Sequence, residues 1–215
     1  NPEILGTLQN SIFFPYGSTW VAYWEPRDLT KTKMCSLIAS AKRSQTGHAL
    51  RHDVAAWAQE ANLPVDLMGR GYKTLEEKGE GLAPYRYSVV IENVQETHYF
   101  TEKVIDAVLC ETVPIYWGCP TLYEFMDTSG MILCDSFEEL KTALQSMSEA
   151  DYEARLPALK NAKPRAAAYG DLFARAAQAV WEDRPVPKTA RGNLRPRLFQ
   201  KAVGQGGVQA SGQIP

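Results

Sequence analysis

Long apolar runs are missing from this chain. None of its 215 residues falls in a stretch approaching the roughly 18 apolar residues that a membrane-crossing helix needs. The opening "NPEILGTLQN" has neither the basic nor the apolar region of a signal peptide. A charge of one sign is missing too. Lys and Arg number 23 against 25 Asp and Glu, a net charge of −2, so there is no basic footprint for nucleic acid. Histidine is scarce, at three residues, and the four cysteines form no CxxC pair. With no HExxH or Cys/His spacing either, no metal site is expected. Cys35, Cys110 and Cys134 lie in apolar runs and Cys119 outside them. Buried thiols in a reducing compartment are the expectation, because disulfide frameworks belong mainly to small secreted domains. A cytoplasmic location follows, with at most peripheral contact at the inner membrane.

What is present is ordinary for a globular protein: 45% hydrophobic and 22% charged residues, enough at this length for a sizeable core. From Met34 the pattern alternates. "MCSLIAS" reads as a strand, and "GHALRHDVAAWAQEA" follows with helical spacing at Leu50, Val54 and Trp57. "VDLMG" is a second strand ended by Gly69, and "RGYKTLEEKGEGLAP" is a polar link. "YSVVI" has the continuous apolar character of a strand covered on both faces. Then come a helix "TEKVIDAVLCE", strands "VPIYWG" and "GMILCD", and a helix "SFEELKTALQSM" with a Ser136/Glu139 capping box. Strands separated by helices of this length predict an α/β fold, a Rossmann-like doubly wound parallel sheet.

We place this domain at residues 30–165. Residues 1–29 do not fit the repeat; "SIFFPYGSTW" reads as a strand and turn belonging to something that precedes the domain. The segment 149–184 is expected to be helical, broken near Pro164 and Gly170, with a C-terminal helix at 166–184. Residues 185–215 are rich in Gly, Pro and Gln, with Lys and Arg but no acidic residue. That composition suits a loosely docked tail. Its basic character is open to contact with anionic lipid, although a solvated terminus is the simpler reading.

The chemistry concentrates in "YSVVIENVQETHYFTEKVIDAVLCETVPIYWG". Open parallel sheets bind ligands at the carboxyl ends of their strands, where Glu92 and Asn93 fall. Thr101 can cap the next helix, leaving Glu102 and Lys103 in its first turn. A lysine there opposes the positive end of the helix dipole, at a cost of about 0.3–1 kcal/mol, unless an anion sits on it. Free N–H groups at a helix start attract phosphate, and Glu102 can accept hydrogen bonds from paired sugar hydroxyls. The plain alternative is a favourable first-turn acid beside a solvated lysine. Arg51, early in the helix after the first strand, and Arg70, in "GRG" after the second, face the same edge. Several cations on one edge suit a diphosphate. The glycine patterns of nicotinamide, P-loop and hydrolase sites are not found.

These residues carry a resemblance. "YRYSVVIENVQETHYFTEKVIDAVLCETVPIYWGCP" resembles the C-terminal signature of the family 10 glycosyltransferases, the α1,3/α1,4-fucosyltransferases. Bacterial members show a strand ending in Glu-Asn, a Tyr-x-Thr-Glu-Lys helix start and a Pro-Ile-Tyr-Trp-Gly strand. "SLIASAKRSQTGHALRHDV" resembles the upstream segment in which an arginine follows a Ser-Asn pair, here Ser40-Ala41. The likeness spans about residues 10–145. It implies the C-terminal half of a GT-B enzyme, two Rossmann-like domains across a cleft, with GDP-fucose as donor and a glycan as acceptor. Arg51 and Lys103 would hold the diphosphate, Glu102 the ribose, and Asn93 and Tyr99 would line the donor site. Glu92 would lie near the fucose, stabilising charge at its anomeric carbon. The implied reaction is inverting transfer with no metal or other cofactor. The general base belongs to an N-terminal acceptor domain expected to lie outside this chain. The C-terminal heptad repeats of some bacterial members are not seen.

Overall fold

The computed structural model describes residues 11–21 and 24–183, so the tail assigned to 185–215 lies outside the described residues. Five strands form one parallel sheet: β1 (Lys33–Ile38), β2 (Val65–Met68), β3 (Tyr85–Ile91), β4 (Val113–Trp117) and β5 (Ile132–Leu133), in the order β2-β1-β3-β4-β5. Every pairing is parallel, with Cys35 opposite Tyr87, Val89 opposite Ile115 and Tyr116 opposite Leu133. The helices are α1 (Thr46–Glu60), α2 (Glu102–Leu109), α3 (Phe137–Ser146), α4 (Glu149–Ala167) and α5 (Leu172–Asp183). α1 packs with α3 and α2 with α4, giving the two helical layers of a doubly wound fold.

Burial follows the strand sequences. β4 is buried at all five positions and β3 at six of seven, because helices cover both faces of the sheet centre. Each fully buried Leu or Ile of this core, such as Leu37, Ile91 or Ile115, contributes about 1.5–3 kcal/mol. The edge strand β2 alternates, and its exposed Asp66 accepts hydrogen bonds from Lys33 and Tyr85. Gly69 ends β2 with φ +97°, a conformation open to glycine at little cost. All four cysteines are buried and unpaired.

Three expectations need correction. Residues 11–21 form no strand; they are held against α2 where Asp106 accepts hydrogen bonds from the Thr19 hydroxyl and the Trp20 N–H. The chain does not break at Pro164. α4 runs from Glu149 to Ala167 through both Pro157 and Pro164, since Tyr152, Leu159, Ala162 and Ala166 are buried along one side and packing overrides the two lost N–H groups. Of the two expected breaks, only the one near Gly170 is present. The box at α3 is shifted by one position: Ser136 accepts from the Glu139 N–H, but Glu139 reaches back to the N–H of Asp135.

The order 2-1-3-4-5 has one switch point, between β1 and β3, where successive connections leave in opposite directions. A crevice opens outside the carboxyl ends of strands at such a point, and Arg51, Arg70, Asn93, Glu102 and Lys103 gather there.

Candidate functional site: the crevice at the β1/β3 switch point

A cavity of about 640 Å³ lies there, bounded by Ile38–Ser40 after β1, the first turns of α1, the end of β3 and the start of α2. Two local choices shape it. Gly47 lets α1 begin against the end of β3: its N–H donates to the Asn93 carbonyl at 2.9 Å, and a Cβ on it would stand 1.8 Å from the Glu92 carbonyl oxygen. Thr101 caps α2, its hydroxyl accepting from the Lys103 N–H.

Arg51 is buried beneath this contact. Its Nε and Nη2 both donate to the Ile91 carbonyl, at 2.9 and 2.6 Å, and Nη2 donates to Asn93 Oδ1 at 2.9 Å. Nη1 takes part in neither. Burial lowers the Arg51 pKa, opposed by Glu92 and Glu102. Charged donors of this kind contribute about 1.5–3 kcal/mol each. Arg51 therefore fastens the tip of β3 to α1 while lining the cavity.

The lysine at the start of α2 has its anion within the protein. Lys103 Nζ lies 3.3 Å from Glu92 and 3.5 Å from Glu102, and donates to Thr101 Oγ1 at 3.0 Å. Glu92 is fully buried and also accepts from the Thr101 N–H and hydroxyl at 2.8 and 2.7 Å. The structure does not bring Glu92 into the cavity lining. Its carboxylate holds the start of α2 through Thr101 and Lys103. Half-buried Tyr99 is likewise outside the lining, and burial, followed by Glu92 and Glu102, raises its phenol pKa. Asn93, Glu102, Lys103, Arg51 and Arg70 do line it, with Arg70 exposed at the rim.

Residues that were not singled out from sequence complete the wall. Lys78, in a 3₁₀ turn (Lys78–Gly81) within the polar link, reaches Asp106 at 2.6 Å and Glu102 at 3.6 Å, with its ammonium 5.1 Å from the Trp20 ring centre. Burial pushes Glu102 up, but Lys78, Lys103 and hydrogen bonds from its own N–H and from Thr101 together lower the net pKa. For Asp106, burial wins over Lys78 and the pKa is raised. Lys42 and His48 also line the cavity. Only a glycine in the first turn of a helix, Gly47, signalled a close approach in the sequence; nothing marked Lys78 apart from any loop lysine.

The lining thus presents Lys42, Arg51, Arg70, Lys78 and Lys103 against the carboxylate of Glu102, with Glu92 and Asp106 behind it. Two positive charges remain uncompensated, in a crevice suited to a dianion. Residues 24–156, well over half of the chain, match the model described as glycosyltransferase family 10 (fucosyltransferase) C-term. The chain belongs to this family. It is 34% identical over 92 residues to alpha-(1,3)-fucosyltransferase FucT of Helicobacter pylori, covering 43% of this chain and 18% of that protein. It is 31% identical over 144 residues to a putative fucosyltransferase-like protein of Arabidopsis thaliana, covering 65% of this chain and 27% of the relative. A solved alpha1,3-fucosyltransferase with GDP-fucose shares its fold at TM-score 0.50 and 21% identity, over 74% of this chain and half of that one. The chain spans about a fifth to a half of these proteins. Its fold is the Rossmann-like C-terminal half of a GT-B glycosyltransferase. No helix among the described residues is long and apolar enough to cross a membrane.

Proposed function

We propose that this domain binds GDP-fucose in the β1/β3 crevice and serves an inverting fucosyl transfer to a hydroxyl of a glycan. The observation that carries this reading is the excess of cations around one switch-point cavity in a chain of this family. The donor's diphosphate lies against Lys103, Arg51 and the start of α2, where fixed charges and the helix dipole favour an anion. Glu102, kept ionised by Lys78 and Lys103, accepts hydrogen bonds from the ribose hydroxyls. Asn93, which lines the cavity, flanks the donor. Glu92 acts by orienting Lys103 and Thr101.

In the reaction, an acceptor oxygen forms a bond to the anomeric carbon as the bond from that carbon to the β-phosphate oxygen breaks. The hydroxyl proton passes to a general base, which we assign to no residue of this chain, and GDP leaves with the bonding electrons. The cations already in place stabilise the charge growing on the leaving diphosphate, so donor binding is expected to proceed without a metal ion.

Calorimetric titration of the full chain with GDP-fucose, GDP and UDP, without metal, tests the donor. Binding of both guanine ligands with UDP ignored is the expected result. Lys103→Ala should weaken GDP binding at least about tenfold, or about 1.4 kcal/mol; unchanged affinity rejects the diphosphate assignment. Stronger binding of another sugar nucleotide in a GDP- and UDP-sugar panel would reassign the hexose.

A further inference from the structure

His48 is the one histidine of the cavity wall. It sits in the first turn of α1, three residues before Arg51, and residues at that spacing share a helix face. It is only 7% exposed. Ser44 Oγ lies 3.4 Å from its Nδ1, and the Asn93 side chain, already bonded to Arg51, is its other polar neighbour. The charged groups around it come from three directions: Lys42 from the loop after β1, Arg51 from its own helix and Lys103 from α2.

All three are cations. A fourth positive charge in their midst, buried among them, is unfavourable in the empty cavity. A diphosphate arriving on Arg51 and Lys103 reverses that field, because it brings two negative charges to the place where the imidazolium would stand. We propose that His48 is a further diphosphate contact of the donor pocket and that it takes up a proton as the sugar nucleotide binds. The inference rests on the donor reading given above. The proton comes from the solvent buffer to an imidazole nitrogen, and no bond of the donor forms or breaks in the step.

Geometry and charge agree on the direction. In the free chain burial, then Arg51 and Lys42, hold the His48 pKa below its ordinary value, with Lys103 adding to them and Asn93 opposing. The neutral form of His48 therefore predominates at pH 7 before binding. Bound diphosphate raises its pKa, so uptake is greatest between the free and bound values, and affinity falls as pH rises through that window.

The test is calorimetry of the full chain with GDP-fucose at several pH values from 6 to 8, each in PIPES and in imidazole, whose ionisation enthalpies differ. GDP-fucose is the right probe because its diphosphate is esterified at both ends and has no group titrating near neutrality, whereas GDP does. The expected result is a buffer-dependent heat reporting uptake of a fraction of a proton, with affinity weakening by up to about tenfold per pH unit. His48→Asn and His48→Gln should bind more weakly at pH 6.5 and lose both the buffer dependence and the slope. Heat of the unaltered chain that is independent of buffer overturns the proposal without any variant being needed. Uptake that persists in both variants overturns it as well. No binding of GDP-fucose at any pH overturns the donor reading instead, and this inference with it.

Discussion

Gly47→Ala is a sharp test of how this site is built. On an exposed helical surface the change stabilises by about 1 kcal/mol, since alanine is the better helix former. Here the new methyl would stand 1.8 Å from the Glu92 carbonyl oxygen and 2.9 Å from that of Asn93. Both are backbone atoms fixed by the sheet, because the Glu92 N–H bonds to the Trp117 carbonyl at 2.9 Å. The start of α1 has to move away by more than 1 Å to reach ordinary van der Waals contact. Overpacking of this kind costs about 1–3 kcal/mol. The Gly47 N–H bond to Asn93 lengthens with it, a further 0.5–1.5 kcal/mol or so. After the gain in helix propensity, a net loss of about 1–3 kcal/mol remains. Arg51, one turn further along α1, shifts off the Ile91 carbonyl and Asn93, so the cavity wall loosens too. Urea unfolding monitored by tryptophan fluorescence should give a lower midpoint at unchanged slope. Calorimetry with GDP on the still-folded variant should show binding weakened beyond what the stability loss explains. A variant as stable as the parent and equal in GDP affinity refutes the claim that this contact sets the site.

Other expectations are independent of that one. Lys78→Met leaves the buried Asp106 carboxylate with only the Thr19 hydroxyl and Trp20 N–H, and breaking a buried pair costs about 3–5 kcal/mol. Lys78 is slightly exposed, so the lower end is expected at pH 7. The deficit shrinks at pH 5 as Asp106 takes a proton, and a deficit equal at both pH values counts against the pairing. Pro164→Ala restores an N–H inside α4 at an exposed position. It should stabilise by about 2 kcal/mol, the roughly 3 kcal/mol helix penalty of proline less the unfolded-chain entropy it removes, read as a higher urea midpoint. Lys31 donates to the carbonyls of Ala83 and Cys110 and to the Thr112 hydroxyl, and burial lowers its pKa to about 8. The unfolded chain therefore holds more protons than the folded one above that value. Lys31's contribution to stability rises from pH 8 to 9, by up to about 1.4 kcal/mol per unit. Lys31→Met should lack this rise relative to the parent, and parallel profiles would refute it.

Sequence alone determined the elements and the edge of the sheet where the site lies. The Val89–Ile91 end of β3 and all of β4 are apolar without interruption because helices cover both their faces, and that pattern is local and readable. The placement of Glu92, Asn93, Thr101, Glu102 and Lys103 at a strand end and helix start followed from capping chemistry and the Glu-Asn and Thr-Glu-Lys spacing. Tertiary structure decided how those residues are used. An isolated lysine in a first helical turn asks for an anion, but only the fold showed that Glu92 supplies one from beneath. Lys78, 25 residues before Lys103 in the chain, joined the same cluster only because the crossing from β2 to β3 folds back over α2. Pro164 reads as a helix breaker by its own geometry, yet the buried side of α4 outweighs it. Short-range preferences are worth about 1 kcal/mol each, and they set the pattern of the chain. Which charges meet across the crevice depends on contacts between segments far apart in sequence, and those exist only once the sheet has assembled.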